Sequence, residues 1–208
     1  MTGKLITFEG IDGSGKSTQI ARLKSSLEAR GHEVVAVREP GGTPVGERIR
    51  NLLLDTPNIE LHPRTEALLF SAARSQLVNE VIIAALAAGN IVICDRYADS
   101  TIAYQGYGRE LPLEEIIITQ RFATGDLRPD LKVLLDVPVE MSGERMAGTP
   151  ADRMEGAGNA FMERVRAGYL KQAQLETGEW LVIKGNAAPE QIAEEIEKYV
   201  VENIIARQ

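Results

Sequence analysis

A glycine-rich stretch near the start of the chain has the residue types and the spacing that hold phosphate groups. Residues 10–17 match the pattern G-x-x-x-x-G-K-[S/T] in full, directly after an apolar run and before a helical pattern. Glycines let successive backbone N–H groups converge on a phosphate at the positive end of the following helix. Lys16 is expected to reach the β- and γ-phosphates of ATP, and the Ser17 hydroxyl is expected to ligate Mg²⁺. The predicted ATP site comprises Gly10, Ile11, Asp12, Gly13, Ser14, Gly15, Lys16, Ser17 and Thr18.

Three classes of protein use such a loop, and the rest of the chain favours one of them. A GTPase switch needs an Asn-Lys-x-Asp motif, but no asparagine here is followed by lysine. An ATPase motor usually carries two carboxylates where the metal-binding strand ends, whereas the corresponding run here ends in Asp95-Arg96. A small-molecule kinase needs a cationic site for its acceptor as well as the loop. Because the chain offers such a site, a kinase is the favoured interpretation, with a non-enzymatic nucleotide-binding switch as the alternative.

The candidate cationic site consists of three arginines. Arg38 and Arg96 follow predicted strands, and Arg74 lies four residues after Phe70 in a predicted helix. Residues four apart share a helix face. An aromatic ring and a guanidinium could therefore hold a nucleobase together, by stacking and by hydrogen bonding. Core packing for Phe70 and a surface ion pair for any single arginine are the alternative interpretations.

Short β-branched runs alternate with longer helical patterns along the chain. Strands are predicted at Leu5–Phe8, Glu33–Val37, Ile91–Cys94, Leu131–Val137 and Leu181–Ile183, and helices at Lys16–Arg30, Pro44–Leu54, Arg64–Ala88, Leu113–Thr124, Asn159–Leu175 and Pro189–Ala206. Strands that are apolar nearly throughout are typical of sheets covered on both faces. The alternation predicts an α/β fold with a doubly wound, five-stranded, mainly parallel sheet flanked by helices. Ligands of such sheets bind beyond the carboxyl ends of the strands.

The composition indicates one soluble domain. A length of 208 residues suits a single α/β domain. The net charge of −7 disfavours nucleic-acid and anionic-membrane partners, because these attract basic surfaces. Cys94 is the only cysteine, which excludes an intrachain disulfide, and its apolar surroundings predict a buried structural thiol. Because the longest apolar stretch, Val81–Cys94, is broken by Gly89-Asn90 and no signal-peptide pattern is present, we expect a cytoplasmic protein.

Five segments of the chain resemble those of the bacterial thymidylate kinase family. They are Phe8-Glu9-Gly10 through Thr18, Arg38-Glu39-Pro40-Gly41-Gly42-Thr43, Asp95-Arg96-Tyr97-Ala98-Asp99-Ser100, Tyr104-Gln105-Gly106 and Arg128-Pro129-Asp130. They follow the family's order over essentially the whole chain. The resemblance implies a P-loop nucleoside-monophosphate kinase fold in one domain over residues 1–208, and transfer of the γ-phosphoryl group from ATP to dTMP with Mg²⁺. It also implies a homodimer. A kinase for another deoxynucleotide or nucleoside is the alternative.

The same resemblance implies roles for residues around the phosphates. Arg38 and Arg96 would clamp the 5′-phosphate of dTMP, and Asp95 would help organise Mg²⁺, directly or through water, together with the acceptor. Glu9, at the end of the first predicted strand, would accept hydrogen bonds from the acceptor or from a metal-bound water. The expected catalytic set outside the lid is Lys16, Asp95, Arg96 and Glu9, and Arg38 is expected only to bind dTMP.

The base and the sugar of dTMP are assigned by resemblance to a second group of residues. Phe70 would stack on thymine, with Arg74 reaching a base carbonyl. Thr101 and Gln105 match positions at which the family contacts the base. Tyr104 matches an aromatic residue that crowds the 2′ position of the sugar and so favours deoxyribose.

Residues 147–159 resemble the lid segment of the family, with Met154 where isoleucine is more common. None of the four variable phosphate-loop positions is basic, so a second cation for the transferring phosphoryl group must come from elsewhere. Arg153 is the expected catalytic cation and Arg145 is the second candidate. By its position alone, the loop at residues 184–186 is expected near the adenine.

Overall fold

Five strands form one parallel sheet in the computed structural model, which describes residues 3–55, 60–148, 154 and 158–206. The strands are β1 Lys4–Glu9, β2 Val34–Arg38, β3 Ile91–Asp95, β4 Leu131–Asp136 and β5 Trp180–Lys184. Their order across the sheet is β2-β3-β1-β4-β5. The predicted α/β class is confirmed, and the sheet is parallel throughout rather than mainly parallel.

The register of the sheet brings the carboxyl ends of three strands to one place. Phe8 of β1 and Arg38 of β2 both lie opposite Asp95 of β3, one on each side. From the central β1 the chain goes first to β2 at one edge and returns to β3 between them, and it then adds β4 and β5 on the other side of β1. Such a reversal of strand order leaves a crevice at the carboxyl edge of the sheet, where ligands of this fold class bind.

Helices cover both faces of the sheet. They are α1 Lys16–Ala29, α2 Pro44–Arg50, α3 Pro63–Leu77, α4 Ile83–Ala87, α5 Ala98–Thr101, α6 Leu113–Thr124, α7 Val139–Met146, α8 Asn159–Leu175 and α9 Pro189–Val200, with π-helical segments at Asn51–Asp55, Val78–Ile82, Ile102–Gly108 and Val201–Ile205. All six predicted helices are confirmed, and the longest consists of α3, a π-helical segment and α4. The helical region 98–108 and α7 are not predicted. Region 98–108 buries polar side chains and so lacks an apolar period, and α7 is only eight residues long.

The core is divided by the sheet, because side chains alternate between its two faces. On one face, β1, β3 and β4 pack against α1 and α9 through a cluster that includes Ile6, Phe8, Leu23, Leu27, Ile93, Val133, Ile192 and Ile196. On the other face, Leu5, Val92 and Cys94 pack against Leu77 and Ile82 of the long helical run. Full burial of each such aliphatic side chain stabilises the fold by about 1.5–3 kcal/mol. Cys94 is a buried free thiol, as predicted.

The helical run Pro63–Ala87 is long and apolar enough, by length and composition alone, to cross a membrane. Its contacts are those of a core helix. Leu77 and Ile82 pack on the sheet, and the run carries two buried charged side chains, Glu66 and Arg74, that pair with Arg109 and Glu39.

Helix α8 packs closely on the π-helical segment Ile102–Gly108. A Cβ atom on Gly168 of α8 would lie 2.7 Å from Cδ2 of Tyr107, closer than any ordinary van der Waals contact. The bare backbone at Gly168 therefore lets the two helices approach. Their approach places the rings of Tyr104 and Tyr169 edge to face, with centroids 6.3 Å apart.

We expect Gly168→Ala to lower the free energy of unfolding by about 1–3 kcal/mol, the cost of overpacking a tight interface. The matched control is Gly143→Ala in α7, where an added Cβ would meet no atom within 4 Å. Alanine there should stabilise the protein by up to about 1 kcal/mol through its higher helix propensity. Urea denaturation of both variants measures the difference, and equal effects at the two positions would contradict this account of the helix contact.

Candidate active site

The phosphate loop connects β1 to α1 and folds as the glycine pattern predicts. Gly10 has φ 135° and Gly15, which precedes α1, has φ 96°, both in the region that favours glycine. A Cβ on Gly10 would also lie 2.7 Å from the carbonyl oxygen of Leu135. The Lys16 ammonium lies across the loop and donates hydrogen bonds to the carbonyls of Gly10 at 3.1 Å and Ile11 at 3.0 Å. The loop thus presents a cation beside its backbone N–H groups.

The electrostatic surroundings of Lys16 suit an anionic ligand. Burial, and then the positive charge of Arg96, lower the pKa of Lys16 from 10.5 to about 8, while Asp12, Asp95 and Glu9 oppose the shift. Phosphate oxygens beside the ammonium would favour its charged form and reverse this shift.

A hydroxyl and a carboxylate suitable for Mg²⁺ stand at the mouth of the loop. Ser17 Oγ donates a 3.3 Å hydrogen bond to Asp95 Oδ2. Hydroxyl and carboxylate oxygens are the ligand types that Mg²⁺ prefers, and at kinase sites it usually takes substrate phosphates as well. Within residues 3–55, 60–148, 154 and 158–206, no group of three His, Cys, Asp or Glu side chains could hold a metal by itself. These two oxygens therefore fit a Mg²⁺ ion shared with a nucleotide.

Arg96 joins the phosphate loop to the helices that follow β3. Its backbone has φ 71°, a left-handed conformation that is uncommon for a residue with a side chain. The guanidinium forms an ion pair with Asp12 Oδ1 at 2.6 Å and donates to the hydroxyls of Tyr104 at 3.1 Å and Tyr169 at 3.0 Å. Although burial raises the pKa of Asp12, Arg96 and Lys16 hold it well below its ordinary value.

Glu9 is fully buried at the carboxyl end of β1. Its carboxylate accepts hydrogen bonds from the Tyr97 N–H at 2.8 Å and from Ser100 Oγ at 2.6 Å. Burial, and then the negative charge of Asp99, raise the pKa of Glu9 from 4.5 to about 7. Glu9 can therefore hold or release a proton near neutral pH.

Two adjoining cavities occupy the crevice. The phosphate cleft, of about 480 Å³, is lined by the loop together with Arg38 and Asp95. The acceptor cavity, of about 100 Å³, brings together the residues predicted to hold the base and sugar, which are Phe70, Arg74, Thr101, Tyr104 and Gln105. Four residues line both cavities: Asp12, Glu39, Arg50 and Arg96. Groups bound in the two spaces would therefore meet at Arg96.

Sequence comparisons agree with this geometry. The sequence model of the family described as thymidylate kinase matches residues 8–196. Three proteins named thymidylate kinase are similar over most of their length. The one from Desulforudis audaxviator is 52% identical, covering 88% of this chain and 83% of its own. Those from Geobacter sulfurreducens and Pelobacter propionicus are 47% and 44% identical, covering 92% and 97% of this chain and 93% and 95% of their own. The chain belongs to the thymidylate kinase family. The resemblance inferred from its sequence motifs is thereby confirmed.

Arg74 would have to rearrange its hydrogen bonds before it could donate to a base. It is buried, and its Nε and Nη2 atoms both lie 2.6 Å from Glu39 Oε2. Nη2 also donates to the Tyr97 carbonyl at 2.9 Å, and Nη1 donates to Thr101 Oγ1 at 2.9 Å and to Gln120 Oε1. A base carbonyl could therefore take an Nη1 proton only after Thr101 or Gln120 gives up its bond.

The other arginines predicted to act on the phosphates differ in their positions. Arg38 is half exposed, pairs with Glu47 at 3.0 Å and lines the phosphate cleft rather than the acceptor cavity. Arg153 lies outside the described residues. Arg145 of α7 donates to the carbonyls of Gly13 at 3.3 Å and Gly185 at 2.9 Å. It thereby links the phosphate loop to the loop that follows β5.

Sequence reasoning missed two charged residues that line both cavities, Glu39 and Arg50. Arg50 lies at the end of α2 and donates a 2.9 Å hydrogen bond to the carbonyl of Pro40. The start of α2 is capped by Thr43, whose hydroxyl accepts a 2.9 Å bond from the Gly46 N–H. Thr43 can be recognised from the sequence as a helix cap. Nothing in the sequence, however, indicates that Arg50, at the end of the same helix, lines the crevice.

The raised pKa of Glu9 predicts a pH-dependent contribution to stability. Because the pKa is higher in the folded state than in the unfolded state, this contribution is fully present below pH 4.5 and is lost as the pH rises through 7. Glutamine at this position does not ionise, and Ser100 can accept from its amide. We therefore expect Glu9→Gln to gain up to about 3 kcal/mol relative to the wild type between pH 5 and pH 8. Denaturant titrations across this range measure the gain, with the exposed Glu80→Gln as control; a pH-independent difference for Glu9→Gln would refute the assignment.

Proposed function

We propose that the chain transfers the γ-phosphoryl group of ATP to the 5′-phosphate of dTMP, giving ADP and dTDP. Membership of the thymidylate kinase family supports this activity, and with it an ATP-dependent phosphotransferase acting on a nucleoside monophosphate. The observation that links this activity to particular residues is the pair of adjoining cavities that share Arg96 and Asp12. A donor and an acceptor held in these spaces face each other, as in-line attack of a phosphate oxygen on the γ-phosphorus requires.

On the donor side, residues 10–18 hold the ATP phosphates. Lys16 turns from the loop carbonyls to the β- and γ-phosphates, where its charge offsets the negative charge that develops during transfer. Ser17 and Asp95 would hold Mg²⁺, which would supply neutralisation of the negative charge on the phosphates when bound. The 3.3 Å contact between their oxygens supports this assignment.

On the acceptor side, Arg96 and Arg38 bind the 5′-phosphate, and Phe70 stacks on thymine. Thr101 and Gln105 contact the base, and Arg74 donates to a base carbonyl once it exchanges a neutral acceptor. Tyr104 crowds the 2′ position of the sugar. The grouping of all these residues except Arg38 around one cavity supports the assignments. Glu9, one hydrogen bond from Ser100, accepts a hydrogen bond from the acceptor or from a metal-bound water.

Arg153 is proposed as the cation that reaches the transferring phosphoryl group from a lid at residues 147–159. This proposal rests on the sequence alone. The position of Arg145 beside the Gly13 carbonyl supports a different task for that residue, which is to hold the phosphate loop against the loop at residues 184–186.

We also propose a homodimer in the cytoplasm. Large apolar side chains are exposed on two neighbouring helices, with Leu68 of α3 60% exposed and Ile118 and Phe122 of α6 59% and 89% exposed. Adjacent exposed apolar side chains on a folded protein commonly mark an interaction surface. This face supports pairing with a second copy of the chain.

The activity is tested by ADP release in the presence of ATP and Mg²⁺. We expect release to depend on an acceptor and to be fastest with dTMP among the common nucleoside monophosphates. Release that is fast without an acceptor would contradict a kinase, and a higher kcat/KM with another monophosphate would overturn the choice of dTMP. A nucleotide-binding switch would instead show slow release whichever acceptor is present.

Stacking on thymine predicts a selective effect of Phe70→Ala. We expect the KM for dTMP to rise by about 10- to 100-fold, the loss of about 1–3 kcal/mol that follows removal of a base-stacking ring. The KM for ATP should change by less than about twofold, since Phe70 lies in the acceptor cavity. Thr65→Ala, at an exposed position of α3, is the control. Unchanged KM values with a lowered melting temperature in Phe70→Ala would show that the ring only packs the core.

A further inference from the structure

Two polar side chains of the acceptor cavity lie one helical turn apart. Thr101 ends α5, Gln105 follows in the π-helical segment, and both line the cavity while being almost completely buried. Residues four apart on a helix share a face. A ligand in the cavity therefore meets their polar atoms together.

The orientation of the Gln105 amide is set by Glu66 of α3. Glu66 is fully buried, and its carboxylate accepts from Gln105 Nε2 at 2.8 Å and from Arg109 Nε at 3.2 Å and Nη2 at 3.1 Å. A carboxylate paired with a guanidinium only accepts hydrogen bonds. The amide nitrogen of Gln105 must therefore face Glu66, and Oε1 is the hydrogen-bond acceptor that the amide can offer to a ligand.

Arg109 is itself held in place, so the charge that pairs with Glu66 does not move away. Its guanidinium carbon lies 4.8 Å from the centroid of the Phe161 ring, and Nη2 lies 3.8 Å from Met154 Sδ. Arginine does not deprotonate in proteins. The ion pair with Arg109 thus keeps Glu66 a hydrogen-bond acceptor and maintains the orientation of Gln105.

Thr101 has the opposite polarity. Its Oγ1 accepts a 2.9 Å hydrogen bond from Nη1 of Arg74, which is anchored by the buried Glu39. Because the hydroxyl already accepts from a cation, its own proton is available to donate. The cavity wall therefore offers a hydrogen-bond acceptor at Gln105 and a donor at Thr101.

With Gln105 Oε1 facing position 3 of a pyrimidine, this pattern matches one class of base. Thymine and uracil carry an N3–H donor beside carbonyl acceptors, whereas cytosine carries an N3 acceptor beside an amino donor. We propose that Glu66 is a positioning residue for base specificity, which holds the Gln105 amide so that the site accepts the N3–H of thymine and rejects cytosine. The proposal rests on the proposed assignment of Gln105 to the base.

The test is the ratio of dCMP to dTMP dissociation constants, measured by calorimetry for wild type and Glu66→Gln. An amide at position 66 can accept from Gln105 or donate to it, so both orientations of Gln105 become possible. We expect the ratio to fall by about 10- to 100-fold, as when a buried polar mismatch is relieved. The exposed Glu80→Gln, on the same helical run, should leave the ratio within about threefold of wild type, as should the affinity of Glu66→Gln for ATP. An unchanged ratio in folded Glu66→Gln would overturn the proposal.

Two further variants separate this proposal from its premise. In Glu66→Gln/Gln105→Glu the carboxylate and amide are exchanged, so that an acceptor again faces the cavity and Arg109 keeps a carboxylate nearby. Recovery of at least a tenfold preference for dTMP is expected; a dCMP to dTMP ratio near one would overturn the proposal, even where Glu66→Gln does not fold. Gln105→Leu tests the premise that Gln105 contacts the base. Wild-type affinity of this variant for dTMP would overturn both that premise and the role of Glu66. Weakened dTMP binding in Gln105→Leu with an unchanged ratio in Glu66→Gln would overturn only the role of Glu66.

Discussion

The ion pair between Arg96 and Asp12 is the interaction on which the crevice depends. It connects the turn after β3 to the phosphate loop, so the donor and acceptor spaces have a common wall. The backbone of Arg96 adopts a left-handed conformation, which costs energy for a residue with a side chain. The hydroxyls of Tyr104 and Tyr169, together with the carbonyl of Gly10, accept further hydrogen bonds from Nη1 and Nη2 of the guanidinium and offset that cost. Removal of Asp12 would leave a largely buried cation without its partner, an arrangement that typically costs several kcal/mol.

Buried charges also organise the acceptor cavity, although they add little net stability. Desolvation of a buried ion pair cancels much of its attraction, so such pairs are a poor source of folding energy. In this fold two such ion pairs instead fix the orientation of uncharged side chains beside them. Glu39 holds Arg74, which fixes the Thr101 hydroxyl, and Glu66 holds the Gln105 amide. A base bound in this cavity would therefore meet hydroxyl and amide groups whose orientation is set by charged residues behind them.

The sequence was sufficient for the strands, the parallel class and the phosphate loop, because these depend on local patterns. β-branched runs and a glycine motif are readable without knowledge of the tertiary contacts. The helical region 98–108 was missed for the opposite reason: Thr101 and Gln105 point inward because their partners lie on α3. Family resemblance indicated that these two residues line the site, but could not show which atoms they present.

Charged residues that act through others are the hardest to infer. Glu66 and Gln105 are 39 residues apart, and Arg74 and Glu39 are 35 apart, so no spacing rule connects them. No local sequence feature distinguishes Arg50 from Arg48, although Arg50 lines both cavities and Arg48 lines neither. In each case the contact depends on which helices pack together. That packing is set by the whole sheet and not by a local motif.

The side chains that line the phosphate cleft carry more positive than negative charge. Lys16, Arg38, Arg50 and Arg96 all line the phosphate cleft, and the lowered pKa of Lys16 reflects its burial and the charge of Arg96. Close like charges are unfavourable, but they are fixed before any ligand arrives, because the loop and the strand ends are held by the sheet. Phosphate groups entering the cleft would remove this repulsion and meet donors whose backbone positions are already fixed, a condition that favours electrostatic stabilisation of a transition state. The free energy that the fold gives up to hold these cations together is thus recovered when the substrates bind.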